Sequence, residues 1–329
     1  MKNKENKAMT RPLLAVVAAV LFAVPIFAYT PPAAAELEAA ASSFLLRDGV
    51  VVDPAREALY VMQDQGVAAF STLGERLWKS GEAARPVGLY GDQLVALAAP
   101  QGIGTVEVVL LNVRDGAKVS AISANLSSDA GGWIVDRPHQ RFDARTELIG
   151  GQLVLSWDFT SRPLRGAAVV AAGEPALIET TLSGQLQLDP ANGSAVDRID
   201  DRPRSAFRLD LAAEERLANF QGRQFRAGDD RHVLASEKRD NSDGWNRYRW
   251  TLADRNGNRL GEVDRPVSVA PFFVSGTTLV HEAGPSLRRL PSGEFEAKGL
   301  RLVAVDLQRG GEQWSIEVRD TVYRGVMPP

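Results

Sequence analysis

The amino-acid sequence predicts an all-β chain, a β-propeller built of four-stranded blades. Three observations carry that expectation. The stretch Gly299 to Val318, GLRLVAVDLQRGGEQWSIEV, reads as a strand, a tight turn and a second strand. A fainter form of this unit recurs four times upstream, with turn glycines at 74, 116, 193, 257 and 310. Each copy also supplies about four short strands with turn signals between them, the spacing of a propeller blade. A four-stranded sheet cannot bury both faces alone. Stacked radially, each sheet covers its neighbour and leaves only short edges.

Within the last unit Leu300, Leu302 and Ala304 alternate with Arg301, Val303 and Val305, the period-2 pattern of a strand. Asp306 opens the turn, and Gly310 supplies a residue free to take φ > 0. Trp314, Ile316 and Val318 then alternate with Ser315, Glu317 and Arg319, so one face is expected apolar and the other wet.

The other units follow in chain order. The first runs from about Gly49 through Ala58–Met62 and Gly66–Phe70 to Ser71, Gly74 and Trp78. The second starts at Pro86, turns at Gly91-Asp92, and continues through Leu94–Ala98 and Val106–Leu111 to Asn112, Gly116 and Val119. The third turns at Gly150-Gly151, passes through Leu153–Trp157 and Leu186–Leu188, and ends at Asp189, Gly193 and Val196. The fourth uses His232–Ala235 and Tyr248–Leu252, then Asp254, Gly257 and Leu260. The fifth adds Pro271–Val274 and Leu279–His281 before the stretch at Gly299.

The glycine steps are 42, 77, 64 and 53 residues, so only the first has the bare size of a blade. Five units are readable; the count becomes six or seven if degenerate blades lie at 120–145 and 200–225. An insertion is expected at about 157–184, and 209–220 is helix-compatible. A sandwich, or a pair of sandwich domains, is the competing all-β architecture. Repetition of one unit weighs against it.

The chain has 329 residues and 44% apolar content, enough for a substantial core. It has no cysteine, which removes disulfides, thiolate metal sites and a cysteine nucleophile. Residues 1–35 read as a signal peptide. Lys2, Lys4, Lys7 and Arg11 precede an apolar run from Leu13 to Val24, and Ala33-Ala34-Ala35 offers a cleavage site before Glu36, with Ala28 as the second choice. The expected location is periplasmic or secreted, without a membrane span after cleavage. A retained N-terminal anchor is the alternative. Removing residues 1–35, which carry those four basic residues and Glu5, takes the formal charge from −3 to −6. That balance argues against a nucleic-acid partner.

The unit LVAVDLQRGGEQW resembles the repeat of the pyrroloquinoline-quinone-type propellers, a strand–Ala–x–Asp–turn–Gly–x3–Trp pattern. Ala304, Asp306, Gly310 and Trp314 match it in full. Ala69, Gly74 and Trp78 match it with a shorter turn and Ser71 in place of Asp. The resemblance implies a propeller spanning residues 36–329 as one domain. The repeat is shared by quinone-dependent dehydrogenases and by non-catalytic scaffolds such as the outer-membrane barrel-assembly propeller. The dehydrogenases bind quinone and calcium, commonly beneath a vicinal cysteine pair that this chain cannot form. Within the repeat, Trp78 and Trp314 are expected to dock between blades. Asp189, Asp254 and Asp306 are expected to bond backbone N–H groups of their own turns.

No nucleophile elbow, Walker or dinucleotide-binding motif occurs, and His139, His232 and His281 lie far apart. Asp254-Arg-Asn256-Gly-Asn258 starts like a calcium loop, yet Arg259 and Arg265 stand where the sixth-position Gly and the bidentate Glu belong. Two loop groups remain as candidate partner-binding sites. One is Trp133, Arg137 and His139 with Trp157, Arg162 and Arg165. The other is Arg223, Arg226 and Arg231 among Phe225, Trp245, Tyr248 and Trp250. Trp with Arg is the pairing enriched at interaction hot spots. The expectation is a non-enzymatic scaffold for a protein or cell-envelope component, needing no cofactor or metal. The alternative is a degenerate quinone- or small-ligand-binding enzyme with its site at the propeller axis.

Overall fold

The computed structural model describes residues 43–99, 104–126, 140–161, 180–197, 218–219, 222–226, 232–239, 247–254, 256–266, 270–289 and 293–319. These residues are all-β and contain no helix. They form antiparallel sheets that succeed one another along the chain, the blades of a β-propeller.

The first sheet has five strands in sequence order: β1 (Phe44–Arg47), β2 (Val50–Asp53), β3 (Ala58–Gln63), β4 (Gly66–Ser71) and β5 (Arg76–Ser80). The second has four, β6 (Arg85–Tyr90), β7 (Gln93–Leu97), β8 (Thr105–Asn112) and β9 (Lys118–Asn125). The third also has four, β10 (Gln140–Ile149), β11 (Gln152–Ser161), β12 (Thr180–Asp189) and β13 (Ser194–Asp197). The fourth comprises β14 (Ala218–Asn219), β15 (Gly222–Arg226), β16 (His232–Lys238), β17 (Tyr248–Asp254) and β18 (Arg259–Arg265). The fifth pairs β19 (Phe272–Ser275) and β20 (Thr278–Ala283) with β23 (Arg301–Asp306) and β24 (Glu312–Glu317). A separate hairpin, β21 (Ser286–Arg289) and β22 (Phe295–Lys298), interrupts it.

Three sequence expectations change here. Among the described residues of 120–145, β9 is the last strand of the second sheet and β10 the first of the third, and the rest of that stretch lies outside the described residues. The insertion in the third sheet narrows, because β11 reaches Ser161 and β12 starts at Thr180. Ala218 and Asn219, at the end of the helix-compatible stretch, pair as strand with Arg223 and Gly222. Finally, Val303 and Val305 are as buried as Leu302 and Ala304. The fifth sheet is covered on both faces at β23, so the expected alternation gives way to a continuous apolar run.

The packing order of the sheets follows from four cores. Val51, Tyr60 and Trp78 of the first sheet meet Leu94, Val109 and Leu111 of the second. On its other face the second sheet sets Val95, Leu110 and Ile122 against Phe142, Leu155 and Trp157 of the third. The first sheet turns Leu59, Val61 and Phe70 to Val280, Leu302 and Ile316 of the fifth. The fifth in turn presents Phe272, Leu279 and Val303 to Leu234, Trp250 and Leu252 of the fourth. The last sheet therefore packs on the first, and the stack runs third, second, first, fifth, fourth.

Candidate functional site

The turn before each outer strand is built the same way. Asp189 Oδ1 accepts from the N–H groups of Ala191 and Asn192, Asp254 Oδ1 from Asn256 and Asn258, and Asp306 Oδ1 from Gln308 and Arg309. Asn112 and Ser71 play the same part toward Arg114, and toward Leu73 and Glu75. The glycines that close these turns have φ of 85, 72, 64, 83 and 74° at 74, 116, 193, 257 and 310. Only glycine takes that conformation without strain.

After four of these turns the outer strand carries a β-bulge. Phe70 pairs with Arg76 and Ala69 with Trp78, so Leu77 is the extra residue. Val119, Leu260 and Gln313 are extra in the same way on β9, β18 and β24. Each lies three residues after its turn glycine, as does Val196 on the unbulged β13. Leu77, Val119, Val196 and Leu260 are 53, 39, 64 and 38% exposed. With Leu73 in the first turn, they are the large hydrophobic residues left exposed among the described residues. Bulges re-aim side chains and blunt an edge strand. The result is a rim on which successive blades present an aliphatic side chain to solvent at one equivalent position.

The residue after the bulge points the other way. Trp78 donates from Nε1 to Val113 O of the second sheet at 2.7 Å, and Trp314 donates to Thr72 O of the first at 3.2 Å. Both Trp residues are thus inter-blade clamps.

A seam of charge runs beneath the apolar packing. Glu282 of β20 lies 3.6 Å from Arg47 of β1. Asp48, the next residue, forms an ion pair with the fully buried Arg85 of β6. The guanidinium carbon of Arg85 stands 5.8 Å from the ring centre of Phe142 on β10. Four blades are tied together by these contacts. The fourth joins through His281, whose ring stands edge-on to Trp250 with centroids 5.2 Å apart. Burial, then the nearby Arg265, pushes the His281 imidazole down to about 4. Asp53, also fully buried, holds Arg56 at 2.8 Å, and Arg56 reaches Gly91 O at 3.1 Å.

The third sheet differs from the others in its second face. Asp143 and Asp158 lie directly opposite each other there, next to the pair Arg145 and Ser156. Burial, and next the Asp143 charge, raises the Asp158 carboxyl to about 6, with Arg145 opposing.

Of the first sequence-derived loop group only Trp157 falls among the described residues. It is 5% exposed, stacks on Phe142 at 6.2 Å and abuts Gly184, so its ring serves the core rather than a partner. Trp133, Arg137, His139, Arg162 and Arg165 lie outside the described residues. The strand ends flanking them are neighbours: Gln140 pairs with Ser161, and Ser161 with Thr180. Of the second group, Arg223 and Arg226 belong to β15, and Arg231 lies outside the described residues. Arg249, close by in sequence, is engaged with Glu262 and Asp264, and Trp250 is fully buried. The exposed rim and the buried seam escaped sequence reasoning. The rim was legible as an aliphatic three residues after four of the five turn glycines; the seam depends on contacts between distant strands.

No protein-family model and no curated protein matches the chain. Among solved structures it is similar to a lignostilbene dioxygenase of Pseudomonas brassicacearum, at 10% identity and a TM-score of 0.27, over 80% of this chain and 70% of that one. Hydrazine synthase of Kuenenia stuttgartiensis gives 12% identity and a TM-score of 0.27, over 82% and 77%. A variant of Synechocystis apocarotenoid oxygenase gives 10% and 0.22, over 88% and 76%. Likenesses of this size carry no argument about activity. Among the described residues no group of three or more His, Asp or Glu side chains could hold a metal ion, and no helix is long and apolar enough to cross a membrane.

Proposed function

We propose that the chain is an exported, non-catalytic propeller that binds a protein or a cell-envelope component in a bacterial periplasm. The observation that carries this reading is the rim. Leu77, Val119, Val196 and Leu260 are exposed at one structurally equivalent place on four of the five blades, three of which, the third, second and first, pack side by side. Scattered exposed aliphatics need no explanation, whereas a repeated position on outer edge strands offers a partner a regular apolar contact row. The loop segments carrying Trp133, Arg137, His139, Arg162 and Arg165, and the basic group Arg223, Arg226 and Arg231, supply the polar part of the surface in this reading. The sequence features of residues 1–35 support export by a cleaved signal peptide.

The test is site-specific photo-crosslinking in intact cells of the producing bacterium, with the probe at position 77, 196 or 313. A discrete adduct from positions 77 and 196, weaker in the Leu77→Asp and Val196→Asp backgrounds probed at the other site, is expected. Position 313, where the rim carries Gln, serves as comparison. Equal adducts at all three positions, or none, would remove the rim from consideration. Saturable quinone binding with dye-linked dehydrogenase activity would turn the reading to the enzymatic alternative.

A further inference from the structure

Independently of the rim, the seam between the fourth and fifth blades holds polar groups that the described residues leave unsatisfied. His281 is 2% exposed. Its Nδ1 lies 2.9 Å from Glu282 O, so Nδ1 carries the proton that the carbonyl accepts. Its Nε2 is buried and finds no hydrogen-bond partner. Arg265 Nε and Nη2 and Arg301 Nε are buried without partners as well.

Register brings these groups to one place. On the fifth sheet His281 pairs with Val303, and the next position on the same face pairs Ala283 with Arg301. Val303 belongs to the core facing the fourth sheet, so His281 and Arg301 share that face. On the fourth sheet Tyr248 pairs with Arg265 and Trp250 with Val263, again on the face turned to the fifth. Both guanidinium charges are felt at His281.

An unpartnered buried donor is costly, and more so when charged. Two guanidiniums and an imidazole on one seam are therefore an expensive arrangement for packing alone, and they share one remedy. We propose that this seam is a binding site for a small oxyanion, a phosphate or carboxylate group, held by Arg265 and Arg301 with His281 beside them. Guanidinium forks match the geometry of such oxyanions. Binding would draw a proton from solvent onto His281 Nε2, turning a lone pair into a third donor. The other charged and titratable groups around the seam are Glu282, already paired with Arg47, together with Tyr248, Asp264, Glu312 and Glu317. None of them adds a cation to Arg265 and Arg301, and the Glu312 and Asp264 carboxylates, which act on Arg265, are what an entering anion must compete with.

The test titrates the full chain with inorganic phosphate and, separately, with acetate. It reads melting temperature and the imidazole 15N resonances, with His281 identified through His281→Gln. A saturable rise in melting temperature is expected, tighter at pH 5.5 than at pH 8, with His281 moving toward the doubly protonated form. Arg265→Met and Arg301→Met should each weaken the apparent affinity about tenfold or more, since a charge-assisted hydrogen bond is lost. A response to either anion supports the site and names its class. Arg265→Met should also be at least as stable as the parent in anion-free buffer, because it removes buried Nε and Nη2 donors that find no hydrogen-bond partner. An unmoved His281 resonance, or an equal response in Arg265→Met, would overturn the proposal.

Discussion

The indole of Trp314 lies flat against Gly74: a Cβ added at Gly74 would stand 2.5 Å from the ring, and Trp314 Nε1 donates to Thr72 O at 3.2 Å. The two residues belong to the last and first blades. Trp78 repeats the relationship on Gly116, again at 2.5 Å, between the first blade and the second. One device thus sets the spacing of consecutive blades and joins the end of the chain to its beginning.

Gly74→Ala should be costlier than Gly310→Ala. Both glycines have positive φ, of 85 and 74°, so each substitution carries a backbone penalty of about 1 kcal/mol. Only at Gly74 does the new methyl meet a ring, since nothing lies within 4 Å of the Cβ position at Gly310. Urea unfolding should separate the two variants by about 1 kcal/mol or more.

Trp314→Ala should cost about 2–3 kcal/mol, the lower end for a large aromatic because Trp314 is half-buried. Amide hydrogen exchange should rise in the first and fifth blades and stay unchanged in the third. Uniform exchange would show that the clamp is not local.

Asp48→Asn should destabilise by about 3 kcal/mol, because it leaves the fully buried Arg85 guanidinium without its carboxylate. Pairing it with Arg85→Met should recover most of the loss. A double variant as unstable as the single one would mean that the ion pair itself, rather than the stranded charge, carries the stability.

Two groups give opposite pH slopes. His281 is held near 4 in the fold against an ordinary 6.5, so the unfolded chain binds its proton first and stability falls as pH drops from 6.5 to 4. Asp158 is raised to about 6 from 3.8, so the folded chain binds its proton first and stability falls as pH rises from 3.8 to 6. Between pH 4 and 6 the two oppose each other. His281→Gln should leave a net fall in stability with rising pH, and Asp158→Asn a net rise, in thermal unfolding across that window.

The repeat was legible because turns are local. Asp306 and Gly310, Asp254 and Gly257, and Asp189 and Gly193 sit three or four residues apart, and their hydrogen bonds and φ values need nothing from the rest of the fold. The same locality made the blade strands readable from their apolar runs. Locality also misled. The sequence sets Trp157 beside the loop residues of the insertion, yet β11 extends through it and its ring is in the core.

By itself, then, the sequence determined an all-β chain of repeated strand–turn–strand units and the residues that shape each turn. Only the tertiary structure decided which blades touch, that β23 is covered on both faces, and that Arg85 pairs with Asp48 and Trp314 with the first blade. The physical reason is range. Turn chemistry acts over a few residues, whereas the Trp314 to Thr72 hydrogen bond spans 242 positions; the repeat pattern points Trp314 between blades but does not name its partner. The rim belongs to both: its aliphatics stand in the sequence at a constant offset, but their place on the outer strands, with bulges at Leu77, Val119 and Leu260, leaves them exposed.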